Sequence, residues 1–284
     1  MRDNEDRLGA LNVADAPVSQ MPVQTTQNSS LSFVSPTEFI DLPSKGQFYQ
    51  EGHPLKGKDK VEFKFMTAKE EDILTSRSLI KKGVAIDRML ESLIVDKSIK
   101  VDSLLSGDKN ALIVGARISG YGASYKTNIT CPNCATVCKH DFDLEKLVHH
   151  ACETMEDLGV TKTNNNTFTF SLPKTKATVE VRPLTGKDET ELAELLEKRK
   201  KANLPEESLT SQMKACLISV NGNTDKNVIK QFVDSLPALD ARQMRTIYRE
   251  IMPAVDMTQQ FICSSCSFEQ DMEVPFTVDF FWPK

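Results

Sequence analysis

The chain has no run of about eighteen apolar residues, so no segment has the length and hydropathy of a membrane span. Its first residues, MRDNEDRLGALNV, lack the apolar stretch of a secretory signal. The expectation is therefore a reducing cytosol, where paired thiols indicate metal before disulfide. Recognisable catalytic motifs are missing too. There is no HExxH, no glycine-rich phosphate loop closing on Lys-Ser or Lys-Thr, and no Ser or Cys nucleophile with a base beside it. Histidine is scarce at four residues; His53 is expected in a loop, and His149 and His150 on the surface. A long basic stripe with interleaved aromatics is also absent, and the net charge is -5, which argues against a general nucleic-acid binder and favours protein partners.

What remains is an ordinary globular composition, 39% hydrophobic and 26% charged over 284 residues, enough for one large or two medium domains. Residues 1–40 are rich in Ser, Gln, Asn, Asp and Pro with few large apolar groups, as in APVSQMPVQTTQNSS, and are read as an extended or flexible arm. Beyond the arm the sequence repeats itself. VEFKFMTAKEE (61–71) aligns without a gap on VEVRPLTGKDE (179–189), identical at five of eleven positions. Both read as a short strand running into a helix start, with Thr67 or Thr185 as cap and Glu70 or Asp188 at the reciprocal position three residues on. A second block matches at an offset of 132: DSLLSGD (102–108) on DSLPALD (234–240), Arg117 on Arg249, and Cys131 and Cys134 on Cys263 and Cys266. RKKANLPEESLTSQ (199–212) is expected to absorb the difference between the two offsets.

The expected fold class is α+β. Two similar halves, 41–150 and 151–284, each hold a short strand, two to three helices and a zinc-ribbon-like β-hairpin carrying CxxC. Ile73, Leu74, Leu79 and Ile80, then Ile86, Met89, Leu90, Leu93 and Ile94, mark core-facing helical stripes in the first half. Leu192, Leu195 and Leu196, then Leu209, Met213, Cys216 and Leu217, do so in the second. Such spacing means packing, and Cys216 is expected to be a buried thiol without chemistry. SGYGAS (119–124) reads as a loop before the hairpin.

Two thiols leave a tetrahedral metal site half filled. If the halves face each other, Cys131, Cys134, Cys263 and Cys266 complete one closed structural zinc site per chain. A local set, Cys131, Cys134, Cys138 and His140, is a rival. Four residues of extended strand span about 13 Å, so that strand would have to fold back sharply to bring them together. Its counterparts in the second half, Gln270 and Met272, offer no comparable ligands. Metal-free thiols and half-sites completed by another subunit also stay open. Phe276, Phe280, Phe281 and Trp282, close to the last residue, either cover the hairpin or anchor an interface.

LPSKGQFY (42–49), FMTAKEEDILTSRSLIKKG (65–83) and the following CPNC hairpin together resemble the baseplate proteins of T-even-like contractile-tailed phages, the group of baseplate hub subunits. The likeness covers roughly residues 40–150. It implies a non-catalytic structural or assembly protein of the tail baseplate, resident in the virion and assembled in the host cytoplasm. Its partners would be other hub or wedge proteins, with no small-molecule substrate, membrane or nucleic acid. Two alternatives are an assembly chaperone absent from the virion and a zinc-ribbon nucleic-acid regulator. The acidic flank SFEQDMEVPF speaks against the regulator.

Overall fold

A computed structural model describes residues 36–150, 155, 157–205, 207–275 and 280–281. The first 35 residues of the expected arm, together with Cys152, Phe276 and Trp282, lie outside that set; Thr37–Asp41, at the arm's end, forms a strand.

Alternation of apolar and polar residues builds the first hairpin. In β2 (Lys60–Lys64) Val61 and Phe63 are buried while Lys60 and Glu62 face outward, and β1 (Thr37–Asp41) pairs with it antiparallel. Thr67 then starts α1 (Ala68–Thr75) as expected: the Glu70 carboxylate accepts both its backbone N–H and its hydroxyl, at 3.0 and 2.5 Å, and also the Ser92 hydroxyl at 2.7 Å. Burial raises the Glu70 pKa, but these bonds outweigh it and hold the group below its ordinary value.

The expected stripe over residues 73–80 is interrupted. Ser76 adopts an extended backbone between α1 and α2 (Arg77–Lys81), so Leu74 is buried whereas Ile80 is 49% exposed. Gly83, at φ +72°, then closes α2, and the Val84 N–H returns to the Leu79 carbonyl at 3.1 Å. In α3 (Ala85–Leu93) Met89, Leu90 and Leu93 face the core, followed by Ile94, but Ile86 does not. Helix α4 (Ser106–Tyr121) buries Ala111, Leu112, Ile113, Val114 and Ala116. It extends through Ser119–Tyr121, where a loop was expected, and Gly122 at φ +81° turns the chain toward β3 (Ser124–Thr130), β4 (Val137–Asp143) and β5 (Val148–His150).

The second half forms an antiparallel sheet in the order β6 (Thr161–Lys162), β7 (Phe168–Ser171), β8 (Thr178–Val181), β9 (Leu217–Val220). Between β8 and β9 run α5 (Gly186–Lys201) and α6 (Ser208–Cys216). Thr185 caps α5, and Asp188 closes the capping box while also taking a two-pronged bond from Arg182 at 2.7 Å on each arm. Met213, Cys216 and Leu217 are core residues as expected, but Leu195, midway along α5, and Leu209, at the start of α6, are exposed. Helices α7 (Lys226–Asp234) and α8 (Ala238–Ile251) follow, then β10 (Ala254–Asp256), β11 (Thr258–Ile262) and β12 (Glu269–Glu273). All strand pairs among the described residues are antiparallel, which with the helices makes the fold α+β.

Element boundaries recur along the chain. β8 and α5 begin 118 residues after β2 and α1, and α8 begins 132 after α4. Phe63 bridges Ile94 where Val181 pairs Leu217, an intermediate offset of 123 on the second partner. The extra length therefore does not sit in residues 199–212 alone; the larger part lies in the stretch between β9 and α8 that holds α7. The β1–β2 and β7–β8 connections also turn on the same device. At Leu42-Pro43-Ser44 the buried Asp108 of α4 accepts the Ser44 N–H at 2.9 Å. At Leu172-Pro173-Lys174-Thr175 the buried Asp240 of α8 accepts the Lys174 and Thr175 N–H groups, each at 2.8 Å.

Both halves share one hydrophobic core. β5 of the first half pairs with β10 of the second, and Leu105 bridges Thr185 through Ser106 N–H to Leu184 C=O at 3.0 Å and Gly186 N–H to Leu104 C=O at 2.8 Å. α4 approaches the second half so closely that a β-carbon at Gly107 would overlap the Pro253 carbonyl oxygen. Gly107→Ala is accordingly expected to cost about 3 kcal/mol of unfolding free energy in urea titrations, whereas Leu239→Ala, at the exposed counterpart, costs under about 0.5.

Asp188 gives a pH signature. Burial raises its pKa, but the Arg182 and Thr185 bonds dominate and bring it to about 2. Its contribution is thus present above the unfolded carboxylate value of about 3.9 and is lost as pH falls through about 2. Asp188→Asn is expected to destabilise by on the order of 1–2 kcal/mol at pH 7, with the gap to the parent closing between pH 4 and 2 in thermal melts.

Candidate metal centre

The site is made by two hairpin tips. In the β3–β4 hairpin Tyr125 and Ile129 on one strand, and Cys138 and Phe142 on the other, point inward, while alternate residues face solvent. Its tip closes with the Cys131 N–H bonded to Thr136 C=O and the Ala135 N–H to Cys131 C=O, both at 2.9 Å. The β11–β12 tip repeats this, with Cys263 N–H to Phe268 C=O at 2.9 Å and Ser267 N–H to Cys263 C=O at 3.0 Å. Ala135 and Ser267 hold φ of +56° and +55°, a left-handed conformation that costs a non-glycine residue on the order of 1 kcal/mol. PNCA and SSCS share no side chain except cysteine, yet both tips accept that cost.

The turns bring the sulfurs of Cys131, Cys134, Cys263 and Cys266 to within 4.8 Å of one another. Cys131 Sγ lies 3.8 Å from Cys266 Sγ, and Cys134 Sγ 3.7 Å from Cys263 Sγ. A tetrahedron with metal–sulfur bonds of about 2.3 Å has sulfur–sulfur edges of about 3.8 Å, whereas a disulfide needs about 2.05 Å. The spacing therefore fits a closed tetrahedral thiolate site. The pairing is reciprocal, the first cysteine of each hairpin facing the second of the other, so exchanging the halves maps one close pair onto the other. Hydrogen bonds from the Thr136 side chain and backbone favour the Cys134 thiolate, whereas burial raises the pKa of Cys131. Zinc suits these four ligands. It would supply a redox-inert cross-link there, and four protein ligands leave no position open for a substrate.

The local set is not assembled. β4 stays extended through residues 137–143, and His140 pairs opposite Thr127. Its ring meets Phe142 edge-on at 4.5 Å and Phe261 of the second hairpin at 5.3 Å. Cys138 is buried with its Sγ 3.5 Å from Cys263 Sγ, a proximity the sequence does not signal. Cys216 is buried at the end of α6, and burial pushes its thiol up to about 12, as befits an inert core cysteine.

Other supporting residues also escape a reading of motifs. Gln259 of β11 donates to Asp143 C=O at 2.7 Å and accepts the Asp143 N–H at 3.1 Å, joining the hairpins away from the sulfurs. Phe280 and Phe281 are buried, and the Phe280 ring lies edge-on to Tyr125 at 5.1 Å, so these two cover the hairpin. Arg117 is buried against Tyr121 and Tyr125 and bonds Gly122 and Ser124 carbonyls at 2.6 and 3.0 Å, fixing the start of β3. Its aligned partner Arg249 is surface-exposed, so that identity is not a shared role.

Residues 36–161 match a family described as T4 bacteriophage base plate protein. No curated protein and no solved structure matches the chain. The matched region contains the β3–β4 hairpin with Cys131 and Cys134.

For the metal centre, elemental analysis of the purified chain is expected to give about one zinc per chain. Cys131→Ser and Cys263→Ser are expected to lose the metal alike and to lower the thermal midpoint by similar amounts, about 10 °C or more. A folded, metal-free parent, or loss confined to the first-hairpin variant, would contradict a shared site.

Proposed function

We propose that the chain, which carries the T4 base plate protein family region over residues 36–161, is a structural hub subunit of a contractile phage tail baseplate. The family match is the observation that carries the role. In this reading the protein acts by geometry rather than catalysis, assembles in the host cytoplasm, and stays in the virion in contact with other baseplate proteins.

The two halves are read as copies of one unit. The recurring element boundaries, the paired Asp108 and Asp240 anchors and the matching hairpin tips support that reading. Zinc held by Cys131, Cys134, Cys263 and Cys266 clamps the copies at their tips, while the shared core and the Leu105–Thr185 bridge hold them further in. A clamp at the far end of two hairpins resists hinging more than the same bond near the core would. That stiffness suits a part that must keep neighbours in register.

Quantitative mass spectrometry of purified virions tests the role. Peptides from both halves are expected in the particle at a fixed copy number relative to other baseplate proteins. Peptides present in infected cells but missing from the virion would make the chain an assembly chaperone instead.

A further inference from the structure

The two halves differ at one sheet edge. Antiparallel strands bond through alternate residues, and the Leu42 N–H bonds Asp59 C=O at 2.7 Å while the Phe65 N–H bonds Pro36 C=O at 3.0 Å. With the register of β1 on β2, Glu38 and Ile40 therefore turn their backbone groups toward β2, and Thr37, Phe39 and Asp41 turn theirs away. Those three have no backbone partner on that outer side among the described residues. The Phe39 side chain is 66% exposed on the same strand.

In the second half the corresponding edge is occupied. The Leu172 N–H to Ala177 C=O bond at 2.9 Å sets the same alternation in β7, which leaves Thr169 facing outward where Phe39 does. There β6 supplies the missing partner: Thr161 pairs Thr169, and the Thr163 N–H reaches Thr167 C=O at 2.8 Å. One short extended segment thus completes the sheet in one half and has no counterpart among the described residues of the other.

We infer that the outer edge of β1 is a docking site for an extended segment of a neighbouring protein chain, which adds antiparallel as β6 does and lays an apolar side chain over Phe39. A second copy of this chain pairing β1 on β1 is disfavoured by size: five residues fall well short of the roughly 800 Å² per partner of a stable interface. A segment whose own subunit is held elsewhere in the assembly needs only the local bonds. The inference rests on the baseplate reading for the setting, though the edge itself does not.

Proline separates the docking bond from the fold. Phe39→Pro removes an outward N–H and leaves the bonds to β2 intact, and Glu38, already extended, tolerates a following proline. Ile40→Pro would instead break a bond to β2. Hydrogen exchange on the peptide spanning residues 36–42 is compared between the free full-length chain and tail assemblies from infected cells. Three amides are expected to exchange fast in the free chain and about 100-fold slower in the assembly. Phe39→Pro is expected to keep its thermal midpoint but to enter assemblies about tenfold less well, a loss of about 1.4 kcal/mol.

Unchanged fast exchange in an assembly that contains the chain overturns the inference, and so does normal incorporation of Phe39→Pro. A photo-cross-linker at position 39 gives a further reading in infected cells. An adduct mapped to an extended segment of another protein supports docking, and one only to the chain itself overturns it. If assemblies lack the chain altogether, the baseplate reading fails, and the cross-link alone then decides the edge.

Discussion

Two thiolates on a tight turn cannot fill a tetrahedral site, and this shortfall can be met only where the two hairpin tips come together. Each hairpin tip offers two sulfurs on one side of a left-handed turn, and each is complete only against the other. The 3.7 and 3.8 Å separations are what a metal-centred tetrahedron asks for, and the reciprocal pairing means neither half dominates the site. Everything behind the tips serves to aim them. Arg117 fixes the start of β3, Gln259 ties the strands across the halves, and Phe280 and Phe281 fill the space beneath.

Further from the sulfurs the same approximate symmetry is relaxed. Asp108 and Asp240 anchor equivalent hairpin loops, but α4 is buried along much of its length while the helices of the second half keep exposed leucines. Gly107 lets α4 press against Pro253, whereas its counterpart Leu239 is exposed. The proposed duplication would explain this pattern: positions that bind the halves to each other differ, and the aspartates that hold each half's own hairpin are alike.

Local rules made part of the fold legible in the sequence. The capping residues Thr67 with Glu70 and Thr185 with Asp188 act within one turn of chain, and the CxxC tips lie between strongly β-prone segments. The four cysteines could be grouped because the repeat related them, not because the spacing of either pair implied the other. Less local features were not legible. Helical period shows a face but not whether anything covers it, which is why Ile86, Leu195 and Leu209 were expected inside and are exposed. Asp108 and Asp240 lay within the matched DSLLSGD and DSLPALD blocks, yet their partners sit more than sixty residues upstream, and Cys138 meets Cys263 from 125 residues away.

Zinc-edge X-ray absorption of the purified full-length chain tests the clamp most directly. The account predicts four sulfur neighbours at about 2.3 Å and no nitrogen or oxygen in the first shell. A mixed shell with an imidazole nitrogen, or fewer than four sulfurs, would contradict it.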